Sequence, residues 1–419
     1  MLRHYEQHDG GLKLYTHRLM EQFAAMDTPH EFVFMYQNPN LIGTYTRNGH
    51  GRIKEVAVKA PHMFLWDQWT PYKFGKREHF DIVFNPKFSV PFLTDCPGVF
   101  VSHGCDWCVI SLGEPLSDRL NQRYLVPRYT HKASATIAVS NTTRDHVIQF
   151  LKMPPENVYT IYHGIDEPVR EKLPEDTLQE IRQRYQLPDK YVLYCGQIYP
   201  SKNFGRLIQA YAKIGPRLGI PLVVAGKVTK EHQQDCDPQV ALIDTLGISK
   251  WVLRPGWVGR QDLPGLYQMA EALLFPSLYE SFGMPIPEAM ASGCPVVTSN
   301  RYGTEEIAGG AAVLVDPEDV ESIAGGIELI LTDSERRQRL ITAGYERSRV
   351  FSWRKCAEQT IEVLVRVASQ RRVAGRQVSG RLTDSLHQKY LMPAHRLLHR
   401  QRFRQQSASA PDTRSRGNP

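Results

Sequence analysis

Short apolar runs, cut off by Gly, Pro or Asn, recur along this chain and alternate with stretches whose apolar residues fall at helical spacing. Continuous apolar runs predict strands buried on both faces of a parallel sheet, and the longer period predicts the helices that cover them. Strands are predicted at Glu31–Tyr36, Ile53–Val58, Asp81–Asn85, Gly98–His103, Ala135–Ser140 and Val158–Tyr162. After a Pro- and Glu-rich linker, Glu167–Asp176, they resume at Tyr191–Gly196, Pro221–Gly226, Trp251–Val258, Leu273–Phe275, Pro295–Val297, Thr304–Ile307 and Ala311–Pro317. Helices are predicted where Leu12, Tyr15, Leu19 and Phe23 repeat, at Asn141–Leu151, where Leu207, Ile208, Tyr211 and Ile214 share a face, at Asp319–Leu331, and from Phe351-Ser352-Trp353 onward. An aromatic-rich helix carries Trp66 and Trp69, both read as packing groups. Strand alternating with helix is the signature of the α/β class.

The stretch Leu273–Ser299 carries the densest chemistry: a strand, a loop with Glu280, Ser281, Phe282 and Gly283, a short helix opened by Pro285 and Pro287, and a second strand. Gly283 lets backbone approach a ligand, and the prolines suit a first helical turn. Glu288 falls in that turn, where the helix dipole favours its ionised form, and Gly293 suits a left-handed C-cap. Ligands of open α/β sheets bind beyond the carboxyl ends of the strands, where this loop lies. An ionised carboxylate accepts hydrogen bonds from two neighbouring hydroxyls, so Glu288 suits a sugar or ribose diol, and the backbone N–H groups suit phosphate oxygens. Either glutamate alone is better read as a solvated carboxylate. Both together, around Gly and Pro at a strand exit, read as a site.

PSLYESFGMPIPEAMASGCPVVTSN resembles the signature of glycosyltransferase family 4, whose members have the GT-B fold: two doubly wound Rossmann-like domains facing a cleft. AVSNTTRDHVIQFLKMPPENVYTIYHGID resembles the close of that family's first domain. The resemblance runs from about Gly10 to Val365. It implies an N-terminal acceptor-side domain over 1–170, a C-terminal nucleotide-sugar domain over 171–350, and a crossover helix over 351–365. It further implies that Glu288 binds the nucleotide ribose, that Glu280 faces the donor sugar, and that Ser281, Phe282 and Gly283 lie against sugar and diphosphate. His103, at a strand's carboxyl end, would point into the cleft beside the sugar; Gly104 follows it where the family often has Asp. Lys202, within the loop QIYPSKN at the strand-to-helix junction, would meet the diphosphate; Ser201 stands where an Arg is common, so Lys202 would carry more of the charge alone, with Arg206 as the candidate helper. Backbone near Val258 would hold the base.

Gly10 and Gly11, before the first helix, are either a phosphate loop or an ordinary turn. Family members carry an apolar strand before such glycines. Only Leu2–Tyr5 precede them here, so either the true start lies upstream, the favoured expectation, or the first half has lost its leading strand. Cys105-Asp106-Trp107-Cys108 lacks the further ligands of a zinc site, and Asp235-Cys236-Asp237, read as a polar loop, lacks support as a metal motif.

Composition adds bounds. With 419 residues, 42% apolar and 23% charged, the chain is long enough for two domains. No apolar run is long enough to span a bilayer and no charged-then-apolar leader opens the chain. Seven cysteines without a framework pattern suggest reduced thiols and a cytoplasmic setting. The net charge of +7 is concentrated at one end: from Arg366 there are 12 Lys or Arg against Asp384 and Asp412, a net +10 that leaves −3 for the body. Leu386, Tyr390, Leu391, Leu397, Leu398 and Phe403 interleave with Lys389, Arg396, Arg400, Arg402 and Arg404. Either a basic amphipathic helix resting on an anionic membrane or a disordered tail fits that pattern.

The expectation is a metal-independent, retaining hexosyltransferase without a cofactor, taking GDP-mannose first or UDP-glucose second to a saccharide or lipid-linked acceptor in surface polysaccharide assembly. Two other classes fit the same residues: an epimerase or phosphorylase on the same fold, and a non-catalytic scaffold for membrane or nucleic acid, nucleic acid being the weaker partner.

Overall fold

The structure, a computed structural model, describes residues 1–2, 10–46, 52–60, 63–110, 116–228 and 233–374, with no account taken of side chains 63, 64, 76, 117 and 371–374. Tail residues 375–419, and with them the apolar–basic pattern from Leu386 to Arg404, lie outside the described residues.

The N-terminal half holds strands β1 (Glu31–Tyr36), β2 (Arg52–Ala57), β3 (Val83–Asn85), β4 (Gly98–Ser102), β5 (Ala135–Ala138) and β6 (Val158–Thr160). Its helices are α1 (Gly11–Ala25), α2 (Met63–Glu78), α3 (Leu116–Leu120), α4 (Val126–Lys132) and α5 (Asn141–Leu151). β1 and β2 form one parallel pair, and β3-β4-β5-β6 a second parallel sheet. Met1 and Leu2 lie between them: the Leu2 N–H donates to Met35 O at 2.9 Å and the terminal amine to Phe84 O at 3.0 Å. Leu2 is 1% exposed.

The C-terminal half holds β7 (Val192–Cys195), β8 (Leu222–Ala225), β9 (Val252–Gly256), β10 (Ala272–Phe275), β11 (Val296–Ser299) and β12 (Val313–Val315). They form one six-stranded parallel sheet in the order β12-β11-β10-β7-β8-β9. Around it are α6 (Glu175–Tyr185), α7 (Phe204–Leu218), α8 (Gln233–Thr245), α9 (Leu263–Met269), α10 (Pro285–Ala291), α11 (Tyr302–Ala308), α12 (Val320–Thr332) and α13 (Ser334–Ser348). β7, β8, β10 and β11 are buried throughout, as continuous apolar runs require. The order reverses between β10 and β7, so the loops after these two strands flank a topological switch point.

The last helix, α14 (Trp353–Ala374), returns to the first half, and the Trp353 ring lies 5.9 Å from that of Tyr15 on α1. It runs nine residues beyond the predicted crossover segment. The linker is anchored too: Arg170 donates to Ser348 O at 3.1 Å and to Phe351 O at 2.7 Å, satisfying carbonyls where α13 ends.

Three expectations need correction. Thr304–Ile307 is not a strand but part of α11: Thr304 and Ile307 bury one helical face, and Gly309 ends the helix in the left-handed region. Asp235-Cys236-Asp237 sits on α8, not in a loop, and Cys236 faces the core, so the two carboxylates straddle a buried position. Trp66 is fully buried, but Trp69, three residues on, is 46% exposed with the Lys73 ammonium over its ring. α13 has no counterpart in the sequence reading; its polar surface hides the pattern.

Candidate active site

The loop after β10 and the start of α10 place both glutamates against the crevice between the halves. Gly283 adopts φ +82° and turns the chain into α10, whose first turn contains Glu288. Gly293 adopts φ +78° just past the helix end. Glu280 is 9% exposed and Glu288 only 4%. Neither acid is left unpaired.

Glu280 Oε1 forms an ion pair with Lys202 Nζ. Lys202 lies at the junction between β7 and α7, where it closes a 3-10 turn, Pro200–Lys202, ahead of that helix. Asn203 follows in the left-handed region and fastens the turn, its amide donating to Pro276 O at 2.9 Å and to Pro317 O at 2.6 Å. The loop after β7 is thereby bolted to the loops after β10 and β12. Arg206, in the first turn of α7, donates to Asn203 Oδ1 at 3.2 Å.

Glu288 has a different set of partners. Its Oε2 accepts from Tyr267 OH at 3.1 Å and its Oε1 from Arg260 Nη2 at 3.1 Å. Burial pushes its pKa above the usual carboxylate value, with Arg260 and Tyr267 pulling the other way. Arg260 also reaches Asp166 Oδ2 at 3.1 Å, and Asp166 accepts from Arg18 of α1 and from Trp353 Nε1 of α14. Burial alone would push the Asp166 carboxyl up, but the two guanidinium groups outweigh it and hold it low. Asp166 is the last residue of YHGID; that segment marks its place, but nothing local in the sequence pairs it with Arg18 or Arg260.

The first half supplies a row of rings. His103 stacks edge-on to Tyr15 (4.9 Å), and His163 lies 4.8 Å from Tyr15 and 5.7 Å from His103. His163 continues onto Phe282 of the second half at 4.6 Å. A carbonyl only accepts, so the 2.7 Å contact between His103 Nε2 and Pro86 O puts the ring proton on Nε2 and leaves Nδ1 as an acceptor. Burial lowers the His103 pKa to about 4, fixing the neutral form near pH 7. Both ring nitrogens of His163 are buried without a hydrogen-bond partner among the described residues.

Gly104 explains itself at this junction. It adopts φ +136°, and a Cβ there would lie 3.0 Å from the Ser281 Cβ of the opposite half. A side chain in its place would push against the loop that carries Glu280.

Two further links close the crevice. Glu306 of α11 accepts from Asn141 N (2.6 Å), Thr142 N (2.8 Å), Thr142 Oγ1 (2.9 Å) and Tyr162 OH (2.8 Å), capping α5 from across the boundary. Tyr279 OH meets His146 Nδ1 at 3.2 Å and accepts from Cys105 N at 3.4 Å.

The structure thus brings Glu280, Lys202, Ser281, Phe282 and His103 into one neighbourhood, with Glu288 on the following helix. Val258 is buried two residues before Arg260. Gly10 caps α1 and Gly11 begins it; a Cβ at either meets nothing within 4 Å, and no contact joins them to the acids among the described residues. A cavity of about 820 Å³ lies elsewhere, lined by Met1, Leu2, Phe34, Phe84 and Leu364. Cys105 and Cys108 are free thiols, and among the described residues no group of three or more His, Cys, Asp or Glu is placed to hold a metal ion. No described helix is long and apolar enough to cross a membrane.

Two family models match the chain in series: Glycosyltransferase Family 4 over residues 9–167 and Glycosyl transferases group 1 over 178–347. O-antigen chain mannosyltransferase B of Escherichia coli is 33% identical over 232 residues, 55% of this chain and 60% of that protein. The serotype-specific mannosyltransferase WbdA of the same organism is 29% identical over 260 residues, 61% of this chain but 32% of its own length. The matches therefore span less than two thirds of these relatives. Among solved structures, Anabaena Alr3699/HepE in complex with UDP and glucose superposes with a TM-score of 0.66 at 19% identity, covering 85% of this chain and 96% of that one. With both models matched in chain order, and their boundary falling at the linker that separates the two sheets, the chain belongs to the family 4 glycosyltransferases of GT-B fold.

Proposed function

We propose that the protein is a retaining hexosyltransferase that takes its donor from a nucleotide diphosphate sugar, GDP-mannose first and UDP-glucose second, and builds a surface polysaccharide on a saccharide or lipid-linked acceptor. The observation that carries this is the pairing of two buried acids with cations at the crevice: Glu280 with Lys202 and Glu288 with Arg260. The mannosyltransferase names of the Escherichia coli relatives support the choice of sugar.

In this reading Lys202 exchanges partners. The donor's diphosphate takes the ammonium from Glu280, and the freed carboxylate accepts from the sugar hydroxyls. Charge on the departing diphosphate is then met by Lys202, Arg206 and loop N–H groups rather than by a metal ion, already oriented before the bond breaks. His103 Nδ1 accepts from the sugar on the other wall, Glu288 takes the ribose, Val258 backbone the base, and Gly10 with Gly11 the acceptor side of the phosphates. Residues 375–419 rest on an anionic membrane surface on the cytoplasmic side, where each basic residue contributes about 1 kcal/mol.

A thermal-shift panel of nucleotide sugars tests the reading, with K202A and E288A as controls. Stabilisation of the wild type by one nucleotide sugar, lost in both variants, supports it. No shift with any donor, or equal shifts in the variants, would remove it.

A further inference from the structure

Arg260 lies at the crevice, has no task in the scheme above, and has a specific geometry. One nitrogen, Nη2, lies 3.1 Å from Glu288 Oε1 and 3.1 Å from Asp166 Oδ2. Asp166 is held in turn by Arg18, Nε to Oδ1 at 2.8 Å and Nη2 to Oδ2 at 2.9 Å, and by Trp353 Nε1 at 3.1 Å. The chain of contacts runs from α10 through Arg260 and Asp166 to α1 and α14, so it crosses from one half of the molecule to the other.

An ionised carboxylate offers about four lone-pair sites, two on each oxygen. Arg260 takes one on Oε1 and Tyr267 one on Oε2. By that count one site remains on each oxygen. Two such acceptors match a vicinal diol, one hydroxyl to each. With the guanidinium gone, the carboxylate loses the partner that fixes its rotation. It also keeps a burial cost that favours the protonated acid, a donor where an acceptor is needed. The charged and titratable groups acting on Glu288 are Arg260, Tyr267, Asp166 and Cys195. Asp166 repels it, and Arg260 stands between the two acids.

We propose that Arg260 is a positioning residue for ribose recognition: it aligns the Glu288 carboxylate with the two ribose hydroxyls and straps it, through Asp166, to α1 of the N-terminal half. The proposal rests on the nucleotide-sugar reading and adds to it the group that sets ribose selectivity.

Calorimetric titration of the full chain with GDP or UDP, whichever gives the larger thermal shift, and with its 2′,3′-dideoxy counterpart separates the two ideas. In the wild type the ribonucleotide is expected to bind about tenfold more tightly or better. In R260Q that preference collapses at pH 7 through loss of ribonucleotide affinity, dideoxy binding staying within about twofold. R260K, with a cation in reach of both acids, keeps part of the preference. If R260Q retains the wild-type preference at pH 7, or loses both nucleotides equally, the role assigned to Arg260 is wrong. If the wild type itself does not discriminate between the two, the assignment of Glu288 to the ribose falls, and this proposal with it.

Discussion

At the scale of single residues, the candidate site is a set of charges held against each other. Lys202 and Glu280 pair at the crevice, so replacing Lys202 acts on both the ligand and the fold. K202A is expected to weaken binding of a nucleoside diphosphate by about tenfold or more while leaving the bare nucleoside little changed, since a charge-assisted contact is worth roughly 1.5–3 kcal/mol. Calorimetry with the two ligands checks this, and equal losses for both would point to unfolding. The histidines give a second test. His103 and His163 have folded-state pKa values below the ordinary 6.5, about 4 for His103. Between pH 6.5 and 4 the unfolded chain therefore binds more protons than the folded one, so stability is full above 6.5 and falls as the solution is acidified. The thermal midpoint should drop by a few degrees across that window, and H163F, which keeps a ring between Phe282 and Trp353, should flatten the drop. A slope unchanged in H163F would mean that other groups set it.

At the scale of elements, the loop–helix unit from Glu280 to Ala291 was legible in advance because its backbone needs are local. Gly283 and Gly293 do adopt positive φ, and Pro285 opens the helix. The two Lys202 findings show where local rules stop. The sequence pattern puts Lys202 near a helix start, and only the Asn203 bonds to Pro276 and Pro317 decide that a 3-10 turn precedes that helix. Glu306 was invisible for a related reason: its partners, Asn141 and Thr142 of α5 and Tyr162 after β6, are far away in sequence and in the other half. Its carboxylate takes the first two N–H groups of α5, while the local N-cap, Ser140, takes that of Thr143. E306A is expected to cost about 1–2 kcal/mol in urea unfolding, the value of a lost cap. It should also speed proteolysis in the Glu167–Asp176 linker, because the crevice loses a clasp. Unchanged proteolysis would show that Tyr279 and the aromatic row hold the halves alone.

At the scale of the whole molecule, the halves touch through a continuous core rather than across water. Tyr15, Ile165, Phe282, Phe351 and Trp353 belong to one buried cluster that draws from both. Interfaces inside a chain permit relative motion unless they are large and apolar, so the shared core limits motion and the polar links at the crevice are what an opening would break. Glu306, Tyr279 and Arg260 lie along the crevice, and each loses or changes partners if it opens. A donor bound between Lys202 and His103 would bridge the same walls. Small-angle scattering should then show a radius of gyration unchanged or smaller with ligand in the wild type, and a larger ligand-free value in E306A that ligand restores. A ligand that expands the wild type would contradict this.

The sequence alone determined the two parallel α/β halves, the strand–loop–helix that carries Glu280 and Glu288, and the place of Lys202 and His103 at strand exits. Those follow from short-range causes: buried runs make strands, glycine and proline set turns, and parallel strands need crossover helices. Tertiary structure decided what each acid is paired with, why Gly104 must lack a side chain, and how Asp166 gathers Arg18, Arg260 and Trp353. Such pairings are made between groups that meet only when the sheets are assembled. A charge in water leaves no trace in the sequence of the partner that it will find once buried.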